Sequence, residues 1–387
     1  MRIFHGNELI FKFMLINVST GIAMGMMNFI IPVYALSLNA TSTEIGLIKG
    51  ISGIGDLLVV LPAGILVDYF GSNRMYSVSA IFGAAIIMSV SFATDPGLLL
   101  LIMVFFGMSR TLRITSLNAD FFKNMSTIGL QKGGWFKGSM TLGGSFIGPI
   151  IGGIAAIAMG FTSYFAFTSA FLLVPLMVIL TRSSRRNPIE LKNPSLTDAS
   201  NHYKSLAKNR TLVSATVIES VNSAFFITFT TFITVLVIRD MGLSPDIAAT
   251  LITLKGGATV FVVFFCGQLL RRNNNNLYLF SFAVTILALL LLGMSKNTFL
   301  LAVASVVTGI GSGFLTLINF TRVGNIEGEK GKIAGIFSLG FGTGAIVGPI
   351  LGGIIGDVFG IQAIFLAFML PFGALALYTF MDGRKRN

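Results

Sequence analysis

Twelve long apolar runs, divided six and six by one polar stretch, limit what this chain can fold into more than any other feature. A helix needs ~20 apolar residues to cross a bilayer. Runs of about that length fall at 9–37, 45–67, 75–94, 97–119, 136–158, 162–181, 211–238, 247–270, 276–294, 298–320, 332–356 and 361–381. They are continuous, not the ten-residue alternating segments of a membrane barrel. The first carries Asn17 and Asn28 and lacks a small-residue cleavage site, so it reads as a span, not a removed signal. With 54% hydrophobic and 11% charged residues in 387, the apolar surplus exceeds what one soluble core can hide. The expectation is an all-α membrane protein of twelve transmembrane helices in two pseudo-symmetric six-helix bundles. Residues 1–181 and 211–387 form the bundles, and 182–210 is a cytoplasmic linker.

The net charge of +12 needs an explanation. Placing both termini in the cytoplasm puts twenty-one of the 27 Lys and Arg residues on that side. Three (Lys49, Arg239, Lys296) fall on the other, and three (Arg110, Arg113, Lys255) lie inside spans. This asymmetry satisfies the positive-inside rule and accounts for the basic charge without a nucleic-acid partner. The linker, with seven basic and two acidic residues, suits a short amphipathic stretch on an anionic leaflet. A single cysteine, Cys266, allows no internal disulfide, and His5 and His202 lie outside the runs, so no metal centre is expected. No Walker lysine motif is present, so ATP hydrolysis is not the expected energy source, and no cofactor is expected.

The two halves repeat a motif. Gly144-Ser-Phe-Ile-Gly148-Pro149-Ile-Ile-Gly152-Gly153 in the fifth run recurs 200 residues later as Gly344-Ala-Ile-Val-Gly348-Pro349-Ile-Leu-Gly352-Gly353 in the eleventh. Glycines four apart share one helix face and admit close helix contact, while proline removes a backbone donor. Duplicated halves around a midplane site are a transporter plan. The turn after the second run reads Gly64-Ile-Leu66-Val-Asp68-Tyr-Phe-Gly71-Ser-Asn-Arg74. Over essentially its whole length the chain resembles the major facilitator superfamily, whose turn motif this segment is similar to. The Gly148-Pro149 run resembles the one associated with that family's drug/proton antiporters. The basic tail of the turn motif is thin, only Arg74, and Gly267 with Arg271 and Arg272 is its worn counterpart in the second half.

The resemblance implies a latch. Asp68 would face the start of the eleventh span, near Gly331 to Gly335, and Arg74 would bridge Asp68 to Asp120, closing in one state and releasing in the other. It also implies that spans one, four, seven and ten line the central path. Asn17, Met24, Asn28, Asn222 and Asn319 are therefore cavity candidates, with the threonines from Thr228 to Thr234. Either they line the path or they back-bond to their own helix.

Asp56, Arg110, Arg113, Glu219 and Lys255 lie within the runs. An ionisable group facing lipid at the bilayer centre costs at least ~2.5 kcal/mol, so each should face protein or a wet cavity. Asp56 lies near the middle of its run and is expected to pair with Arg110 and carry the proton. Glu219, with Lys255 as a partner, is the other candidate carrier, and Arg113 is shallow enough to snorkel. A carboxylate that alternates between paired and unpaired surroundings couples proton exchange to conformation. The leading expectation is a monomeric proton-coupled exporter of amphiphilic or cationic small molecules, multi-pass in the cell membrane. The alternatives are uptake or facilitated diffusion of a polar metabolite and a lipid flippase. An enzyme is not expected, since no span carries a nucleophile with an adjacent base.

Overall fold

The computed structural model describes residues 2–128, 133–180, 209–267, 274–327 and 330–384. The chain is an all-α membrane protein of twelve spans. In the first half these are α1 (Arg2–Ser37), α2 (Ser42–Phe70), α3 (Ser72–Val90), α4 (Pro96–Lys123), α5 and α6 (Phe161–Leu180). Span α5 runs through Gly133–Thr141, a π-helical stretch Leu142–Ile147 and Gly148–Ala158. The second half holds α7 (Arg210–Val235, with π-helical Leu236–Asp240), α8 (Pro245–Phe265), α9 (Asn274–Met294), α10 (Thr298–Gly324), α11 (Lys330–Phe359) and α12 (Ile361–Ala367 and Met369–Arg384). A one-turn helix, Met125–Ile128, follows α4. Most of the linker and the Arg271–Arg272 counterpart lie outside the described residues.

Local sequence sets several ends. Asp95 caps α4 through the Leu98 amide ahead of Pro96, and Asn297 and Asn209 cap α10 and α7 in the same way. The α2–α3 turn needs Gly71, whose φ of 90° excludes most side chains. Pro62 breaks the backbone bonding of α2, which bends there by 52°. The sequence places most ends within a few residues but stops α10 at 320 and α4 at 119. The helices continue for a further turn, because polar Thr321, Arg322, Asp120 and Lys123 keep helical bonding once outside the apolar slab.

Glycines bring the spans together. On α5, Gly144 and Gly148 meet Gly21 and Gly25 of α1 backbone to backbone, and Gly153 meets Ala249 of α8. On α11, Gly340, Gly344 and Gly348 meet Thr216, Ser220 and Ala224 of α7, and Gly353 meets Ser42 and Thr43 of α2. Each repeated run therefore has two faces: one packs inside its own bundle, the other grips the opposite bundle. Where Pro149 removes the donor that α-helical bonding would offer to Ser145, α5 takes a π turn, and Gly256 of α8 packs against the Ser145 carbonyl.

The end carrying both termini, the Gly71 turn and the α4 and α10 C-termini is called the basic end below. The buried core is one cluster shared by both bundles from the opposite end through the middle, running from Phe29 and Phe165 to Phe225, Phe232 and Phe365. Towards the basic end it splits. One separate cluster in the first bundle holds Phe13, Tyr76, Phe121 and Phe136, and another in the second holds Leu212, Ala215, Val323 and Ile333. The glycine contacts between α2 and α11 stop at Gly53 and Ile346, and a Cβ at Gly64, Gly335 or Gly342 would meet nothing within 4 Å. The bundles are joined at the opposite end and part along α2 and α11 at the basic end.

Candidate functional site

The midpoint of α2 is Asp56, and α4 comes close there because glycines remove side chains from both helices. Gly55 packs on the Val104 carbonyl and Gly107 on the Ser52 carbonyl. That approach lets Arg110 grip Asp56 through both its Nε, at 3.2 Å from Oδ1, and its Nη2. The Thr111 hydroxyl donates to Oδ1 at 2.6 Å. The pair is half-buried, with 27% of the Asp56 side chain and 17% of the Arg110 side chain exposed. It sits one turn beyond Gly53, where α2 leaves α11.

Lys255 is the central residue of α8 and 1% exposed. Its Nζ has no hydrogen-bond partner. Three rings of α7 surround it, Phe226 at 4.4 Å, Phe229 at 5.0 Å and Phe225 at 5.1 Å. Each such contact contributes ~0.5–2 kcal/mol, less than the several kcal/mol of desolvation that burying an ammonium costs. The Lys255 side chain lines a cavity of about 10 Å³, room for about one water. The cavity lies between the bundles. Asn28 and Ser145 come from the first, Phe226, Thr230, Ile252 and Lys255 from the second.

Lys49 stands behind one wall of this cavity. The sequence reading placed it among the outer-side charges, but it is a buried residue of α2, 5% exposed. Its ammonium donates to the Asn28 carbonyl at 3.3 Å and to Asn28 Oδ1 at 3.0 Å. A lysine seven residues into a helix is no longer a loop charge when a neighbouring amide receives it.

Three other expectations change. Glu219 does not meet Lys255. It accepts from Asn319 Nδ2 at 3.1 Å, and Tyr278 donates to Asn319 Oδ1 at 2.7 Å, a chain within the second bundle. Arg113 does not snorkel. It is 1% exposed, its Nη1 reaches only Ser109 at 3.4 Å, and Nε and Nη2 have no hydrogen-bond partner. The α4 face that carries it turns inward onto Gly83 of α3 and Leu172 of α6. Among the cavity candidates, Asn28 and Thr230 line the inter-bundle cavity. Asn17 donates to the Phe136 carbonyl at 2.8 Å, Asn222 to Thr316 at 3.2 Å, and Asn319 is fully buried. Met24 is half-buried on α1. Thr230, Thr231 and Thr234 bond back to their own helix, as the structural alternative anticipated.

The opposite end holds contacts that the sequence reading missed. Asp357, near the end of α11, accepts from the Ser42 amide at 2.8 Å and the Thr43 amide at 2.7 Å, the first two amides of α2. Thr41 Oγ1 takes the third, from Glu44, in a capping box. Arg239 adds a bond to the Ser42 hydroxyl at 3.1 Å. A carboxylate of one bundle thus closes the helix N-terminus of the other. The only signals in the sequence are an acid four residues after Gly353 and the Thr41–Glu44 box, which says nothing of a distant partner.

The family model of the major facilitator superfamily matches residues 13–287 and 221–387. The chain belongs to the major facilitator superfamily. Solved structures share the fold over nearly the whole chain. A mutant of the nucleoside transporter NupG superposes with a TM-score of 0.80 at 16% identity, covering 96% of this chain and 99% of that one. A bacterial homologue of the human lysosomal transporter Spinster, inward-facing and unoccupied, gives 0.74 at 13% identity over 98% and 97%. The human organic anion transporter MFSD10 gives 0.70 at 13% identity over 97% and 99%. An uncharacterised MFS-type transporter of Methanocaldococcus jannaschii is 28% identical over 152 residues, which span 38% of this chain and 39% of that relative.

Within this superfamily fold the turn-motif residues stand open. Asp68 and Arg74 are exposed, and Arg74 lies over the Phe70 ring at 5.9 Å instead of bridging Asp68 to Asp120. Asp120 accepts from Asn124 Nδ2 at 3.2 Å. No bridge from Arg74 to Asp68 or Asp120 is present among the described residues; the α4 end instead meets the start of α3 through Lys123 Nζ, which donates to the Ser72 hydroxyl at 3.4 Å.

Proposed function

We propose that this superfamily member is a proton-coupled secondary transporter working by alternating access, with Asp56 as the proton carrier and Arg110 as its counter-ion. The observation that carries this is the position of the pair. Asp56 lies at the fork where α2 parts from α11, so a change in its charge acts on the helix that must move. Protonation removes the anion that Arg110 grips, and the freed guanidinium becomes a half-buried, unpaired charge until the carboxylate ionises again. The glycine–proline run of α5, similar to that of drug/proton antiporters, supports exchange of cargo for protons and hence export. The Lys and Arg asymmetry supports a cell-membrane orientation with the basic end and both termini in the cytoplasm, so that this conformation is open inward.

The test is solute exchange in proteoliposomes under an imposed pH gradient, across a panel that includes nucleosides and organic anions, the cargos named for two structural neighbours. Asp56→Asn is expected to abolish gradient-driven accumulation while exchange without a gradient persists. Undiminished accumulation removes Asp56 from the coupling step.

A further inference from the structure

We infer that the inter-bundle cavity beside Lys255 is the cargo's anchoring point and that the cargo is an organic anion, held through its carboxylate or phosphate by the Lys255 ammonium and the Asn28 amide. The inference rests on the alternating-access reading and names the class of molecule carried. It departs from the cationic cargo within the sequence expectation of amphiphilic or cationic molecules.

The charge deep in the spans is lopsided. Lys49, Arg110, Arg113 and Lys255 stand against Asp56 and Glu219, and the one carboxylate paired with any of these four is Asp56, with Arg110, among the described residues. A cation entering this space would meet repulsion, and an anion would meet an ammonium with three unused donors. The aromatic rings around Lys255 offer a weak electrostatic surrogate and no acceptor, so a hydrogen-bonding anion improves on what the empty protein provides. Lys49 makes Asn28 a donor. It occupies the amide oxygen, which leaves the NH2 group of this cavity-lining residue to give hydrogen bonds. The remaining walls, Phe29, Phe226 and Ile252, are apolar, which suits an organic body attached to the anionic head.

The lining comes from both bundles, so the cavity must change size when they rock. In the present state it has room for about one water, which places the anion's arrival in a state with the bundles further apart there. An anion seated between Asn28 of one bundle and Lys255 of the other bonds both at once. That is the property a cargo needs if its binding is to bias which end is open.

The experiment is thermal unfolding of the purified full-length protein against four ring compounds of matched shape: benzoate, phenyl phosphate, the neutral benzamide and the cationic benzylamine. Saturable stabilisation by benzoate or phenyl phosphate, and by neither of the others, is expected; which of the two acts tells carboxylate from phosphate. Lys255→Met should raise the half-saturating concentration by at least about tenfold, the range of one charge-assisted hydrogen bond, and Lys255→Arg should recover part of it. If Lys255→Met does not fold, Asn28→Ala supplies the second reading, with a rise of roughly threefold or more. The absence of an anion response in the wild type, a response to benzylamine, or an unaltered response in Lys255→Met overturns the assignment. The measurement needs no membrane or pH gradient, so it stands apart from coupling. An anion response together with gradient-driven accumulation in Asp56→Asn overturns the proton role alone. Coupling lost in Asp56→Asn with no anion response in the wild type overturns the anion site alone.

Discussion

Glycines decide which side chains meet in this protein, and they separate positions that are tight in this conformation from positions that wait for another. Gly107 rests on the Ser52 carbonyl, and any Cβ there would drive α4 from α2 and loosen the grip of Arg110 on Asp56. Gly107→Ala is expected to cost about 1–3 kcal/mol, read as a fall in the unfolding midpoint. Gly64 has open space around it and lies on the α2 segment that faces away from α11 only while the basic end is open. Gly64→Ala is expected to leave the midpoint unchanged or raise it, since alanine favours helix by about 1 kcal/mol, yet to slow transport by obstructing closure. A transport rate equal to wild type would show that α2 and α11 never approach there. The Asp56–Arg110 pair was legible in the sequence because both residues lie at similar depth on neighbouring spans. The fates of Lys255, Glu219, Arg113 and Lys49 were not. The rings that Lys255 meets, Phe225, Phe226 and Phe229, lie roughly two to three turns along α7 from Glu219, so depth separates that pair. The inward face of Arg113, by contrast, follows from the rotation of α4 about its axis, which packing sets.

Among the elements, α2 and α11 do most to set the conformation. Both carry proline, but only α2 bends sharply, and the Pro149 of α5 is absorbed in a π turn while Pro349 sits within an α-helix. The twelve spans could be read from apolar length. The π turn could not, because proline permits a kink, a bulge or neither, and the choice belongs to the packed neighbour Gly256. The Asp357 cap is a joint between elements of different bundles. A carboxylate at a helix N-terminus contributes ~0.3–1 kcal/mol, up to ~2 when partly buried, which corresponds to a roughly two- to thirtyfold bias towards closure of the opposite end. Asp357→Ala should shift the population by that factor. Spin labels on Ser37→Cys and Phe359→Cys, in a Cys266→Ser background, would read it as a longer distance component. A distribution identical to that of the labelled protein with Asp357 intact would show that the cap contributes nothing to closure.

For the whole molecule, the duplicated glycine–proline run made the two-bundle plan readable, since a repeat at an offset of 200 residues fixes six spans against six. Which end is shut was not readable: both repeated runs support closure equally, and the answer lies in a core that is continuous at one end and divided at the other. The solitary ammonium at the middle of α8 has an electrical consequence. A membrane voltage falls across the same slab that holds Lys255, and one elementary charge crossing all of it exchanges about 2.3 kcal/mol per 100 mV. An empty protein that shifts this charge along the membrane normal as it rocks is a small capacitor plate, and its resting orientation is set partly by voltage. On a solid-supported membrane it should give a transient current that saturating benzoate or phenyl phosphate reduces, because the bound anion travels with the ammonium and the two cancel. The same transient in Lys255→Met would assign the moving charge elsewhere. The potential that the cell maintains would then do part of the work of returning the unloaded carrier.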